Sequence, residues 1–361
     1  MAYLSPTSAA ALARLRAFVP PPTNYHSLPI TRRAAVLILL FADRSGGLRV
    51  VLTIRSTKLR NYAGQAALPG GKADSLEESP WQTARREAWE EIGLPTGEGE
   101  IMKGWKVERL GELPCNLAVT ELGVRPCVGY LSPLVPGAGG VGDATNASRK
   151  SNNSPDPVKD LLPTLDAKEV AAVFTAPFHN FLKKEDEDPK VRRKVPGKWY
   201  NGTWVSWHEE AWRMHQFFVP KGLVFRSEEE QTGDEDNPAI GDTNASGPGT
   251  ANGNGDSRQS RQGKGPSLGD KIVGEARTKE KEAAPAVDPL DEARYKVFGM
   301  TARILVDAAR VAYGEEPDYE HNSHFGDEDM ITRLMKMGRL SPIKKEGERL
   351  TRDVMSAAAK M

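Results

Sequence analysis

The chain has 361 residues, and 49 Lys plus Arg balance 49 Asp plus Glu, so its formal net charge is zero. That balance argues against bulk electrostatic binding to nucleic acid, which needs a basic surface to displace counterions. Length suggests two domains, but 39% hydrophobic content with 34 Gly and 26 Pro indicates one globular unit diluted by segments that cannot pack.

Arg14 and Arg16 interrupt the N-terminal alanines, Pro20-Pro21-Pro22 follows, and no acidic residue precedes Asp43. A mitochondrial transit peptide and a short amphipathic helix over 8–18 both fit that pattern. Strands are expected over 34–41 and 49–53, separated by the turn 43–47. A short strand over 66–68 ends at Pro69-Gly70-Gly71. The helix expected over 79–92 has clear boundaries: Ser79 as N-cap, Pro80 at the first position, Gln82 completing a capping box and Gly93 as stop.

Further strands are expected over 105–113, 124–130, 169–175 and 215–219. A helix over 294–313 would carry Met300, Ile304, Leu305 and Ala308 on one face. Residues 137–160 and 226–292 are rich in Gly, Asn, Ser and charge. Such composition cannot bury enough apolar area to offset the entropy of ordering, so both read as disordered insertions. Long surface loops add little closure entropy, so one domain can hold both. The expected layout is an N-terminal extension at 1–30, one α/β domain at 31–313, and a polar tail at 314–361.

Cys115 and Cys127 are too few for a disulfide scaffold and sit in apolar surroundings, as buried thiols of a reducing compartment do. No apolar run reaches the ~18 residues needed to span a bilayer, so no membrane role is expected.

The chemistry concentrates in Arg86-Glu87-Ala88-Trp89-Glu90-Glu91-Ile92-Gly93-Leu94. Helical spacing puts Glu87, Glu90 and Glu91 close together, where like charges repel. One reading is a solvated acidic face balanced by Arg85 and Arg86. The other is a site for a hard divalent cation, favoured by the preceding Gly-Gly turn and by Glu77-Glu78. Arg55, Lys58 and Arg60 precede Gly64-Gln65, either as a phosphate-binding set or as a solvated strand end. Trp204, Trp207 and Trp212 suit either the core or a stacking role; Arg192-Arg193-Lys194 reads as a solvated loop.

Gly71, an acidic residue at Glu77 or Glu78, and the run from Arg86 to Leu94 resemble the Nudix box of nucleoside-diphosphate-linked-X hydrolases. Counted from Gly71, the acidic position falls on Glu77, with eight residues before Arg86 instead of the general seven. That expansion resembles the coenzyme A-cleaving branch. Leu52-Thr53-Ile54-Arg55-Ser56, Leu59 and Gly64-Gln65-Ala66-Ala67-Leu68-Pro69-Gly70-Gly71 are similar to the signature of the same branch, with Tyr62, Ala66 and Leu68 as departures.

The resemblance implies a Nudix-type α/β/α sandwich with a mixed central sheet and disordered insertions. It further implies cleavage of coenzyme A, or its acyl or disulfide derivatives, to adenosine 3′,5′-bisphosphate and 4′-phosphopantetheine species. Glu87, Glu90, Glu91 and a carbonyl at Gly70 or Gly71 would hold Mg²⁺ or Mn²⁺. Arg86 would orient a carboxylate, and Glu87 or a loop carboxylate would act as base. Arg55, Lys58, Arg60, Gly64 and Gln65 would meet the substrate. The alternatives are a housecleaning pyrophosphatase for oxidised nucleotides or ADP-ribose, and a silent Nudix-fold binding module. Ala359-Lys360-Met361 is similar to the Ser-Lys-Leu peroxisomal address, which an import receptor would read; mitochondrion and cytoplasm are the other expected locations.

Overall fold

In the computed structural model, the structure describes residues 4–58, 62–96, 105–133, 168–207, 210–221, 224–226, 293–343 and 350–361. Strand β1 (Arg33–Ala42) runs through the centre of a nine-stranded mixed sheet. Its apolar run alternates between two buried faces, the signature of a strand covered on both sides. Ala35, Leu37, Leu39 and Phe41 point to one face, and Ile38 and Leu40 to the other.

Parallel to β1 lies β7 (Gly123–Pro133), while β2 (Leu48–Arg55) pairs antiparallel with the far half of β1. The near half of that edge is taken by β4 (Gly70–Lys72), with Gly70 opposite Val36 and Gly71 opposite Ala35. The short β3 (Ala66–Ala67) pairs with β2, β5 (Trp105–Glu112) and β6 (Asn116–Leu117) pair with β7, and β8 (Val170–Pro177) pairs with β2. This split pairing brings Gly70 and Gly71 beneath the helix that follows β4.

That helix, α2 (Pro80–Ile92), covers one face through Trp81, Ala84, Ala88 and Ile92. Ser79 accepts from Gln82 N–H, the Gln82 side chain accepts from Ser79 N–H, and Gly93 adopts φ 68° as the left-handed stop. The opposite face packs against α1 (Pro6–Ala17), which is N-capped by Ser5 and presents Ala11, Leu12 and Leu15. A short α3 (Pro189–Lys194) then leads to a second, three-stranded sheet. Its strands are β9 (Tyr200–Trp207), β10 (Glu210–Pro220) and β12 (Arg294–Phe298), with β10 in the middle. Strand β11 (Val224–Arg226) returns to the edge of the large sheet on β8. Helix α4 (Gly299–Tyr313) closes the same face with Ala302, Ile304, Leu305 and Ala308. The architecture is the expected α/β/α sandwich with a mixed sheet.

Two expectations are corrected. Residues 294–298 do not open the last long helix; they form β12, pairing from Pro220↔Arg294 to Gln216↔Phe298. Tyr295, Val297 and Phe298 favour a strand, and Gly299 at φ 63° marks the change from that strand to the helix it opens. Nor is 314–361 simply a polar tail. It carries α5 (Glu328–Lys336) and α6 (Arg352–Ala359), whose Ile331, Leu334, Met355 and Ala358 bury against Tyr25, Leu28 and Cys115. Each helix is short, and the partners Tyr25 and Leu28 lie some 300 residues earlier. The expected insertions at 137–160 and 226–292 lie outside the described residues, apart from Arg226 at the end of β11. Both cysteines are buried and free.

Glu328 fastens this C-terminal layer. One carboxylate oxygen accepts from Asn24 N–H at 2.8 Å, and the other accepts from Cys115 N–H at 2.8 Å and faces Arg125 at 3.3 Å. Glu328→Ala leaves two part-buried N–H donors without their acceptor, each worth about 1–3 kcal/mol. The expected result is a lower melting temperature and protease sensitivity that starts within 314–361. Unchanged melting and cleavage would show that the layer is held by its apolar contacts alone.

Candidate active site

Helix α2 turns Glu87 and Glu91 toward β4 and leaves Glu90 at the rim. Glu91, only 3% exposed, accepts a hydrogen bond from Gly70 N–H at 3.1 Å. Glu87 lies against Gly71 so closely that a Cβ there would sit 2.5 Å from its carboxylate. A side chain at this position would therefore have to displace the end of Glu87. Among the described residues, no three His, Cys, Asp or Glu side chains converge as a ready-made metal cage.

Arg86 is the hub of the carboxylates. Its Nε donates to Glu78 at 2.8 Å, its Nη1 to Glu87 at 3.2 Å and Glu90 at 3.1 Å, and its Nη2 to the Lys72 carbonyl at 2.8 Å. Glu78 also accepts from Asp74 N–H and the Thr83 hydroxyl, both at 3.0 Å. Although burial pulls the Glu78 carboxyl upward, Arg86 holds it below its ordinary value. The acidic residue that meets Arg86 is thus Glu78, not the exposed Glu77. Seven residues separate Glu78 from Arg86, so the extra residue lies between Gly71 and Glu78. The Arg85 guanidinium donates to the Pro95 carbonyl.

Burial pushes the Glu87 carboxyl up to about 7 and that of Glu91 up to about 8. Glu90 pushes Glu87 up further, Glu87 pushes Glu91 up, and Glu169 raises both. Partly desolvated, anionic, hard-oxygen donors beside the Gly70–Gly71 backbone fit Mg²⁺ or Mn²⁺ in their donor chemistry.

A cleft of about 1460 Å³ opens beside β4. Arg55, Gln65, Gly70 and Gly71 line it together, so two members of the expected substrate set share one space with the β4 glycines, whereas Arg86, Glu87, Glu90 and Glu91 are not among its lining residues. The loop is held by Arg55 N–H donating to the Gln65 carbonyl at 3.0 Å and Gly64 N–H donating to the Arg55 carbonyl at 2.9 Å. Lys58 is exposed and is not a lining residue, and Arg60 lies outside the described residues. Tyr62 at φ 57° lines the cleft mouth in a conformation costly for an aromatic residue.

Sequence reasoning did not anticipate Glu169 as a neighbour of Glu87 and Glu91, because only the β2–β8 pairing brings it there. It also missed the far wall, where His321, Phe325, Met330 and Met355 come from the C-terminal layer.

Residues 31–113 match the model of the NUDIX domain. The chain is 42% identical over 186 residues to an uncharacterized Nudix hydrolase, NudL, of Citrobacter koseri, covering 51% of this chain and 77% of that protein. The chain belongs to the Nudix hydrolase family. It is also 33% identical over 211 residues to peroxisomal coenzyme A diphosphatase 1 of Saccharomyces cerevisiae, covering 55% of this chain and 59% of that protein. The chain spans about half the length of the yeast protein and of two Arabidopsis thaliana relatives, 59%, 48% and 41% respectively. A solved MutT protein from Methanosarcina mazei is 28% identical, over 28% of this chain and 65% of that one, with a TM-score of 0.21. The yeast relative is named as peroxisomal and one plant relative as mitochondrial. Nudix hydrolases generally use divalent ions such as Mg²⁺ or Mn²⁺, and a small-molecule substrate fits the family. Among the described residues no helix is long and apolar enough to cross a membrane.

Proposed function

We propose that the chain hydrolyses the diphosphate bond of coenzyme A, or of its oxidised or acyl derivatives, in a reaction dependent on Mg²⁺ or Mn²⁺. The products would be adenosine 3′,5′-bisphosphate and 4′-phosphopantetheine species. One observation carries this reading: Arg55 and Gln65, from the segment that resembles the coenzyme A signature, line the same cleft as Gly70 and Gly71.

Glu87, Glu91 and a backbone carbonyl near Gly71 would hold the ion, with Glu90 joining from the rim if it exchanges its bond to Arg86. The bound ion supplies charge neutralisation of the diphosphate and activation of water. The chain's own groups do the rest. Arg86 ties together three carboxylates, those of Glu78, Glu87 and Glu90, and the Lys72 carbonyl, and so would hold Glu87 in orientation. Arg55, half-buried in the cleft, is placed to pair with phosphate oxygens. The proton of the attacking water would pass to Glu87 or to a carboxylate outside the helix, for which Glu169 is the candidate by its charge coupling to both buried acids.

The test is hydrolysis with Mg²⁺ or Mn²⁺ across coenzyme A, its disulfide, acyl derivatives, ADP-ribose and 8-oxo-dGTP, with products identified by mass. Release of adenosine 3′,5′-bisphosphate from a coenzyme A species is the expected result. Brisk cleavage of the nucleotides with no turnover of any coenzyme A species would remove the proposal. For Arg55→Ala, KM for coenzyme A should rise roughly ten-fold or more, in line with the loss of a charge-assisted contact.

A further inference from the structure

Trp204 sits on β9 as the cross-strand partner of Arg213 on β10. Its indole is 46% exposed and lines the cleft that also holds Gly70, Gly71 and Arg55. An exposed side chain of this size normally keeps its rotamer freedom, yet two contacts hold this one, and their partners are tied to each other. The indole N–H donates to Glu320 at 2.7 Å, the Arg213 guanidinium lies 5.3 Å from the ring centroid, and Arg213 in turn faces Glu320 at 3.3 Å. The result is a large apolar face left in water and prevented from turning away. Folding gains little from that arrangement, because exposed apolar area is unfavourable and ordering a side chain costs entropy.

The other tryptophans make the contrast clear. Trp199 is buried, with its N–H on the Asn180 carbonyl, and Trp81 belongs to the core under α2. Trp89 is exposed, but it lies on α2 and does not line the cleft. Trp212 lines the cleft and is only partly exposed.

We propose that the Trp204 indole is the stacking surface for the purine base of the substrate, resting on the reading of the cleft as a nucleoside-diphosphate site. A bicyclic ring presents the area a purine covers, and stacking of a base on a fixed aromatic needs no base-specific hydrogen bond. Arg213 and Glu320 are positioning residues that set the plane of the ring. The two halves of the ligand are then held by different sheets. The diphosphate lies at β4 and α2 of the large sheet, and the base lies at β9 of the small one.

The experiment titrates adenosine 3′,5′-bisphosphate into the full chain by calorimetry, for the wild type, Trp204→Leu and Trp204→Phe. Trp204→Leu is expected to bind about ten-fold or more weakly, Trp204→Phe to recover most of the loss, and 4′-phosphopantetheine to bind all three alike. In turnover the defect should fall on KM. Equal affinity of the folded Trp204→Leu protein for the bisphosphate overturns the assignment. The two readings separate cleanly. Cleavage of ADP-ribose in place of coenzyme A, with the same dependence on Trp204, removes the coenzyme A reading and keeps the platform. Cleavage of coenzyme A by Trp204→Leu with unaltered KM keeps that reading and removes the platform.

Discussion

Glu91→Gln is expected to lower hydrolysis by roughly 100-fold or more while making the metal-free protein more stable at alkaline pH. Glutamine is the same shape, and its side-chain carbonyl can still accept from Gly70 N–H, so the fold loses nothing. It cannot supply an anionic ligand. Stability moves the other way because the carboxyl is buried with Glu87 beside it. In the unfolded chain both acids titrate near 4.5; in the folded chain Glu87 is raised to about 7 and Glu91 to about 8. The folded state therefore binds more protons across that interval, and its stability declines as pH rises from about 4.5 to about 8. Glu91→Gln removes its share of the decline. Melting of the metal-free proteins at pH 5, 7 and 9 should show curves that converge at acid pH and separate above neutrality. Full hydrolytic activity in Glu91→Gln, or parallel melting profiles, would contradict the assignment.

The adjacent glycines should fail in different ways when each is replaced by alanine. At Gly70 the backbone has φ 151°, and an added Cβ would lie 2.6 Å from the Val36 Cα and against the Ala35 carbonyl. Those neighbours are backbone atoms of the central strand and cannot give way. Gly70→Ala should cost about 4 kcal/mol or more, the range of severe core lesions, and yield little folded protein. At Gly71 the obstacle is the far end of the Glu87 side chain at 2.5 Å, which can swing aside. Gly71→Ala should therefore fold, melt within a few degrees of the wild type, and lose activity because Glu87 has moved. Thermal unfolding with a hydrolysis assay separates the two. A folded, active Gly70→Ala protein would refute the close approach of β4 to β1.

The core sandwich was legible in the sequence wherever a signal is local. The alternating run of β1 marks a strand covered on both faces, and Ser79, Pro80, Gln82 and Gly93 bound α2 within a residue. The carboxylate cluster was legible for the same reason, since spacing on one helix sets its geometry. Its division of labour was not. Glu87, Glu90 and Glu91 look alike in sequence, and only the pairing of β4 with β1 decides that two face the glycines and one the rim. Glu77 and Glu78 are adjacent, and only the reach of Arg86 distinguishes them. What stayed hidden depends on contacts between remote segments. Examples are β12, which needs β10 as a partner, and the helices α5 and α6, whose apolar stripes find Tyr25 and Leu28 at the other end of the chain.

That last arrangement has a kinetic consequence. The bond from Asn24 to Glu328 joins residues 304 positions apart, and contacts of such separation form late because closing so long a loop costs chain entropy before the contact stabilises anything. During synthesis the glycines, Arg86 and the buried acids can be in place while the far wall of the cleft is still missing. The catalytic centre would then be assembled before the chamber that encloses its ligand. Competence to bind would therefore be acquired last, once the wall from His321 to Met355 has been made and docked.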